Sequence, residues 1–182
     1  MNVTHEVPRI WVGSMGAYNN GVLLGEWIDA TEADTKVNEL TTEWHKENPE
    51  FGDEWFIADH EGFGNAWPGG EWPDLDNLAK LAGALEEHGE AFKAYLGNGH
   101  YSADRDLDEA IEMFEVAFLG NYENVAEFAE DFLENTGALA EIPDYLANYF
   151  DFKAYGRDLE LGGDIFAVKN ESFGVYIFDN HV

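Results

Sequence analysis

The chain has 182 residues and carries 38 Asp and Glu against 9 Lys and Arg, a formal net charge of −29. An aromatic share of 15% excludes a disordered acidic chain, which would be poor in aromatics. So few bases argue against direct nucleic-acid binding, and the lack of cysteine excludes disulfides, Cys-ligated zinc and a thiol nucleophile.

Arg9–Met15 reads as a strand, rich in β-branched and aromatic residues. Gly16–Gly21 reads as a turn and Val22–Ala30 as a second strand, so the two form an antiparallel hairpin. Thr31 offers an N-cap for a helix from Glu32 to about Lys46. Glu54–Asp59 reads as a third strand. Trp11, Trp27, Trp44, Trp55, Trp67 and Trp72 all fall in this part and are expected to fill the core of a small domain. Glu61–Pro73 is dense in Gly and Pro and reads as a linker or long loop.

The pattern then turns helical. Leu75–Glu87, Glu90–Leu96 and Asp106–Phe118 read as helices, with breaks at His88-Gly89 and Gly97–His100. In the last of these, Leu107, Ala110, Ile111, Phe114, Ala117 and Phe118 are expected to point inward, and Asp108, Glu112 and Glu115 outward. Leu119-Gly120 is expected to end it.

From Asp106 to Phe152 the chain holds 13 carboxylates and no Lys or Arg. Within it, Asn121–Thr136 reads as a two-sided helix. Val125, Phe128, Ala129, Phe132 and Leu133 follow core-facing spacing, and Glu123, Glu127, Glu130 and Glu134 form a row on the opposite face. Like charges four residues apart oppose a helix by about 0.2–0.5 kcal/mol per pair. A surface selected for solubility alone would intersperse Lys. The unrelieved rows at Asp108, Glu112, Glu115, Glu123, Glu127, Glu130 and Glu134 therefore read as a surface that is used.

Gly137 reads as the residue that closes this helix, and Pro143 as the first turn of another over Asp144–Phe150. Ile165–Lys169 and Gly174–Phe178 read as two strands joined at Asn170–Phe173. The order predicts an α+β chain of three small domains, over residues 1–73, 74–120 and 121–182. They are an N-terminal antiparallel sheet plus helix, a central helical domain, and C-terminal helices plus antiparallel strands. No apolar run has the length of a membrane helix and no signal-peptide pattern opens the chain, so a cytoplasmic location is expected.

Catalytic and metal motifs are missing. Gly97-Asn98-Gly99 and Gly162-Gly163 read as turns rather than phosphate cradles. Asp104–Asp108 has some calcium-like spacing but lacks the loop glycine and terminal glutamate. Asp59-His60-Glu61 resembles an oriented general base, although a histidine filling surface or core is the simpler reading. Asn2-Val3-Thr4 and Asn170-Glu171-Ser172 match glycosylation sequons without any sign of secretion.

At Tyr18–Gly21 with Gly25–Ile28, and more closely over Leu133–Leu161, the sequence resembles the ArdA-type antirestriction proteins. The specific pieces are Thr136-Gly137, Ile142-Pro143, Tyr149-Phe150-Asp151 and Ala154–Leu159, and the Gly174–Phe178 strand fits them too. The resemblance implies a DNA mimic carried by mobile elements. Such a protein binds the methyltransferase core of type I restriction–modification enzymes in place of DNA. It also implies an elongated three-domain chain that dimerises through its C-terminal domain, uses no cofactor and catalyses nothing. At about one charge per 1.7 Å of duplex, 29 charges match roughly 50 Å of DNA. Tyr145, Tyr149 and Phe150 are candidates for an apolar homodimer seam, since two acidic bodies need apolar burial to offset repulsion. Arg157 with Asp158 is expected to form a buried or half-buried ion pair that fixes the C-terminal domain.

Two other readings compete. An acidic surface is also what adaptation to high salt produces, with no binding site implied. A small enzyme using carboxylates as acid and base is the third, and no motif supports it.

Overall fold

The computed structural model describes residues 7–98 and 106–182. The Asn2-Val3-Thr4 sequon, His5, Gly99, His100, Asp104 and Arg105 lie outside them. The fold is α+β, and contacts divide the chain into two compact units, residues 1–108 and 109–182.

The first unit is built on a sheet. Along β1 (Arg9–Ser14), Ile10, Val12 and Ser14 are buried on one face, while Arg9, Trp11 and Gly13 share the other. It pairs antiparallel with β2 (Gly25–Asp29), placing Trp11 opposite Trp27 as the expected hairpin requires. The connection is not a plain turn. A short helix, α1 (Met15–Asn19), forms there because the Ser14 hydroxyl accepts from the Ala17 N–H at 3.3 Å. Asp29 rather than Thr31 starts the next segment. Its carboxylate accepts from the Thr31 N–H at 3.0 Å and the Thr31 hydroxyl at 2.8 Å. A 3-10 turn (Ala30–Glu32) leads into α2 (Ala33–Glu47), which buries Val37, Leu40, Thr41 and Trp44.

β3 (Trp55–Glu61) adds to the other side of β1, giving the antiparallel order β2-β1-β3. The Gly/Pro-rich loop after it is packed rather than free. Phe63, Ala66 and Trp67 are buried, the Phe63 and Trp67 rings meet at 4.9 Å, and the Glu71 carbonyl accepts from the Ile57 N–H at 2.9 Å. Among the tryptophans Trp44 and Trp67 are buried and Trp11, Trp27 and Trp55 half-buried, but Trp72 is 63% exposed. The core reading fails for Trp72 because its indole N–H instead donates to the Trp55 carbonyl at the surface. α3 (Leu75–Gly97) packs on α2 within this unit, burying Leu78, Leu81, Leu85, Phe92 and Tyr95. It breaks at Gly89, where the sequence places a break, with φ 64° and ψ −148°.

α4 (Leu107–Ala117) buries Ala110, Phe114 and Ala117, in line with the predicted inward face. Where a plain helix end is expected, the chain runs into β4 (Phe118–Tyr122). α5 (Val125–Asn135) follows. Asn124 caps it, its side chain accepting from the Ala126 and Glu127 N–H groups at 3.0 and 3.2 Å. Gly137, left-handed at φ 74°, closes it as predicted. α6 (Asp144–Ala147) is shorter than the predicted Asp144–Phe150 helix. Unforeseen in the sequence is α7 (Phe152–Gly162), capped by the Asp151 carboxylate, which accepts from the Ala154 N–H at 2.9 Å.

β5 (Ile165–Lys169) and β6 (Val175–Asp179) complete a second antiparallel sheet in the order β4-β6-β5. On one face Ile165 and Ile177 pack with Phe128 of α5, joined by Tyr122, Val125 and Leu159. On the other, Phe118 and Phe178 meet Phe114 of α4 at ring distances of 5.4 and 6.3 Å. α7 lies tight against α5 at Gly156, where an added Cβ would stand 2.8 Å from the Val125 carbonyl oxygen.

Candidate functional site: acidic rows on two helices

The amphipathic pattern sets the site. Burying Ala110, Phe114 and Ala117 turns Asp108, Glu112 and Glu115 to solvent on α4. Burying Phe128, Ala129 and Leu133 turns Glu127, Glu130 and Glu134 out on α5. Glu109 and Asp131 are exposed as well, and the two-row reading of the sequence passed over them. Phe132, predicted to face the core, is 39% exposed. It sits at the edge of the apolar stripe, with its ring 5.8 Å from Phe128.

The acids are not equivalent. Asp108 forms an ion pair with Lys80, so its charge is already answered. Glu123 precedes α5 rather than riding on it. The Glu127 carboxylate turns back to accept from the Glu123 N–H at 2.6 Å, serving the helix end as a charged acceptor. Asp131 accepts from the Tyr122 hydroxyl at 3.1 Å. Partial burial, and then the hydrogen bond to that carboxylate, raises the Tyr122 pKa, so the phenol stays a donor at neutral pH. Among the described residues, none of Glu112, Glu123, Glu127, Glu130 and Glu134 is ion-paired. Glu112, Glu130 and Glu134 thus keep both carboxylate charge and freedom.

Of the predicted seam, Tyr145 and Tyr149 are open at 72% and 84% exposure, with Leu146 beside them at 45%. Phe150 is different. Its ring is half-buried and packs against Phe152 at 5.1 Å and Tyr155 at 5.9 Å.

The Arg157–Asp158 pair forms, at 3.1 Å, but it is not buried: the side chains are 66% and 67% exposed. Both residues fall on the solvent side of α7, where such a pair contributes about 0–1 kcal/mol. Within Ala154–Leu159 the packing falls to Gly156 and Leu159 instead. Asp59-His60-Glu61 does not make an oriented base. The Asp59 carboxylate accepts from the His60 backbone N–H at 2.8 Å, Glu61 pairs with Arg9, and the imidazole packs on Trp67 at 4.8 Å. Among the described residues no group of three or more His, Asp or Glu is placed to hold a metal ion.

The exposed acids of α4 and α5 lie on helices packed against opposite faces of the second sheet, with Glu112, Glu130 and Glu134 free of ion pairs among the described residues. The profile of the antirestriction protein family ArdA matches residues 10–173, and the chain belongs to that family. Among curated proteins no sequence matches it. No described helix is long and apolar enough to cross a membrane.

Proposed function

We propose that the chain inhibits type I restriction–modification enzymes by occupying, as a DNA mimic, the groove in which their methyltransferase core holds the duplex. The observation that carries this reading is the exposure of the acids along α4 and α5, above all Glu112, Glu130 and Glu134, which are in no ion pair among the described residues. Acids one helical turn apart recur at about 5.4 Å, comparable with phosphates along a strand. A groove lined with Lys and Arg attracts either ligand by the same electrostatics. The inhibitor needs no cofactor and performs no reaction; occupancy is its whole effect. The reading is tested by competition. The protein is expected to displace a DNA duplex from a type I methyltransferase core, with affinity falling as salt rises. Undiminished duplex binding in excess protein refutes it.

The inhibitor acts in the cytoplasm as a homodimer. Tyr145, Leu146 and Tyr149 give the second unit an apolar patch amid its carboxylates, which supports a seam there. Phe150 instead packs its half-buried ring on Phe152 and Tyr155. Exchanging Tyr145 and Tyr149 for Ser is expected to weaken self-association about tenfold or more, at upwards of ~1 kcal/mol per truncated anchor. Sedimentation velocity at micromolar concentration should then show monomer. An unchanged dimer would place the seam elsewhere.

A further inference from the structure

The first unit carries an open aromatic face for which the acidic rows give no role. We propose that this face is a receptor for an arginine side chain, presented by the DNA-binding surface of the partner enzyme. The identity of the partner rests on the inhibitor reading above; the chemistry of the receptor does not.

Three observations place it. The first is the way Trp11 lies. In the sheet Trp11 stands between Trp27 on one side and Asp59 on the other. A Cβ added at Gly13 or at Gly25 would meet the Trp11 ring at 2.5 Å. The indole therefore lies down over two glycines and shows a broad face instead of standing on edge. Its ring meets Phe56 edge-on at 6.3 Å, and Phe56 in turn meets Tyr18 at 5.4 Å.

The second is the cleft these rings floor, of about 510 Å³. Tyr18 and Leu23, 60% and 79% exposed, line it together with Asp59 and Glu71. A planar ligand with a positive charge suits a lining of aromatic rings and acids. Guanidinium stacks on aromatic faces and bonds to carboxylates in its own plane, which an ammonium cannot do as well. A nucleic-acid base would stack equally, but its phosphates would meet Asp59, Glu71 and a net charge of −29.

The third is that the same face already holds one such complex within the chain. The Arg9 guanidinium carbon lies 5.7 Å from the centre of the Trp27 ring, and its Nη1 pairs with Glu61 at 3.3 Å. Arginine, indole and carboxylate are thus assembled beside Trp27. Beside Trp11 the indole and the carboxylate are present and the arginine is to come from outside.

The test uses the full chain and two blocked tripeptides, Gly-Arg-Gly and Gly-Lys-Gly, with the indole N–H of Trp11 followed by NMR. The arginine peptide is expected to shift that resonance at concentrations about threefold or more below those the lysine peptide needs. Tyr18→Ala, at an exposed position, is expected to keep the melting temperature. It should weaken the arginine peptide, and inhibition of a type I enzyme, by about threefold or more. Equal response to the two peptides, or none, overturns the receptor. So does full inhibitory potency in Tyr18→Ala, which leaves the mimic reading standing. A protein that prefers the arginine peptide yet leaves the type I enzyme untouched supports the receptor and sinks the mimic.

Discussion

Exchanging Glu112 and Glu130 for Lys together is expected to weaken inhibition of a type I enzyme at least about a hundredfold, because like charges set against each other across an interface cost several kcal/mol. The same variant is expected to melt higher than the parent. The new ammonium group on α5 would face Glu134 and Glu127, and the one on α4 would face Glu115 and Glu109, at spacings that gain about 0.2–0.5 kcal/mol per pair. Glu112 and Glu130 suit the test because they are exposed, unpaired and not part of a helix cap. Opposite signs for potency and stability separate a used surface from a merely solubilising one. An acidic coat adapted to high salt would lose nothing in potency. Full inhibition by the double variant would remove these rows from the contact.

Replacing Gly156 by Ala is expected to destabilise the second unit by about 1–3 kcal/mol, the usual range for forcing a methyl into a packed contact. The added carbon would stand 2.8 Å from the Val125 carbonyl oxygen and 3.0 Å from its Cγ1, so α7 must back away from the first turn of α5. Leu159 would withdraw with it from the cluster around Phe128, Ile165 and Ile177. The location of the damage can be read directly. All six tryptophans lie in the first unit, so their fluorescence should be unmoved while the far-ultraviolet signal melts earlier. A tryptophan transition that shifts in step would show that the two units unfold as one. An unaltered melt would mean that α5 and α7 separate at no cost.

The sequence revealed most where period and punctuation agree. α5 shows an i, i+3, i+4 stripe closed by a glycine; the structure keeps the glycine and buries Phe128, Ala129 and Leu133, leaves Phe132 exposed and moves the start to the Asn124 cap. β1, β3 and β5 are short runs rich in β-branched or aromatic residues, and each appears within two residues of its expected bounds. β4 was hidden because Phe118 continues the apolar face of α4, so its residues read as the end of one helix, a break at Leu119-Gly120 and the start of the next helix at Asn121. α7 went unassigned in the sequence, although Asp151 and Gly163 mark both ends of a helix. Gly and Pro density between residues 61 and 73 correctly signals irregular backbone. It says nothing of whether Phe63 and Trp67 find a core, which depends on how far the loop folds back.

The candidate acidic rows were legible in outline. Which side of α4 and α5 meets water follows from apolar spacing alone, and that assigns the acids to it. Their separate fates were not legible. The partnership of Asp108 with Lys80 joins residues far apart in the chain, and the return of Glu127 to the Glu123 N–H depends on where the helix begins. The arginine-ready face was invisible for a similar reason. Gly13 and Gly25 come together only through the register of β1 with β2.

The border strands of the C-terminal sheet bring a liability of another kind. β5 ends the order β4-β6-β5, and an outermost strand exposes a row of backbone donors and acceptors to any neighbouring molecule. A glycine-centred irregularity distorts β4, whereas β5 pairs in unbroken register and has Lys169 at its tip as its only ionised residue. Mutual repulsion between copies is then the main guard against stacking into ribbons. Acidification toward about pH 4, where carboxylates take up protons, dismantles that guard, and the protein's colloidal shelf life should be shortest there.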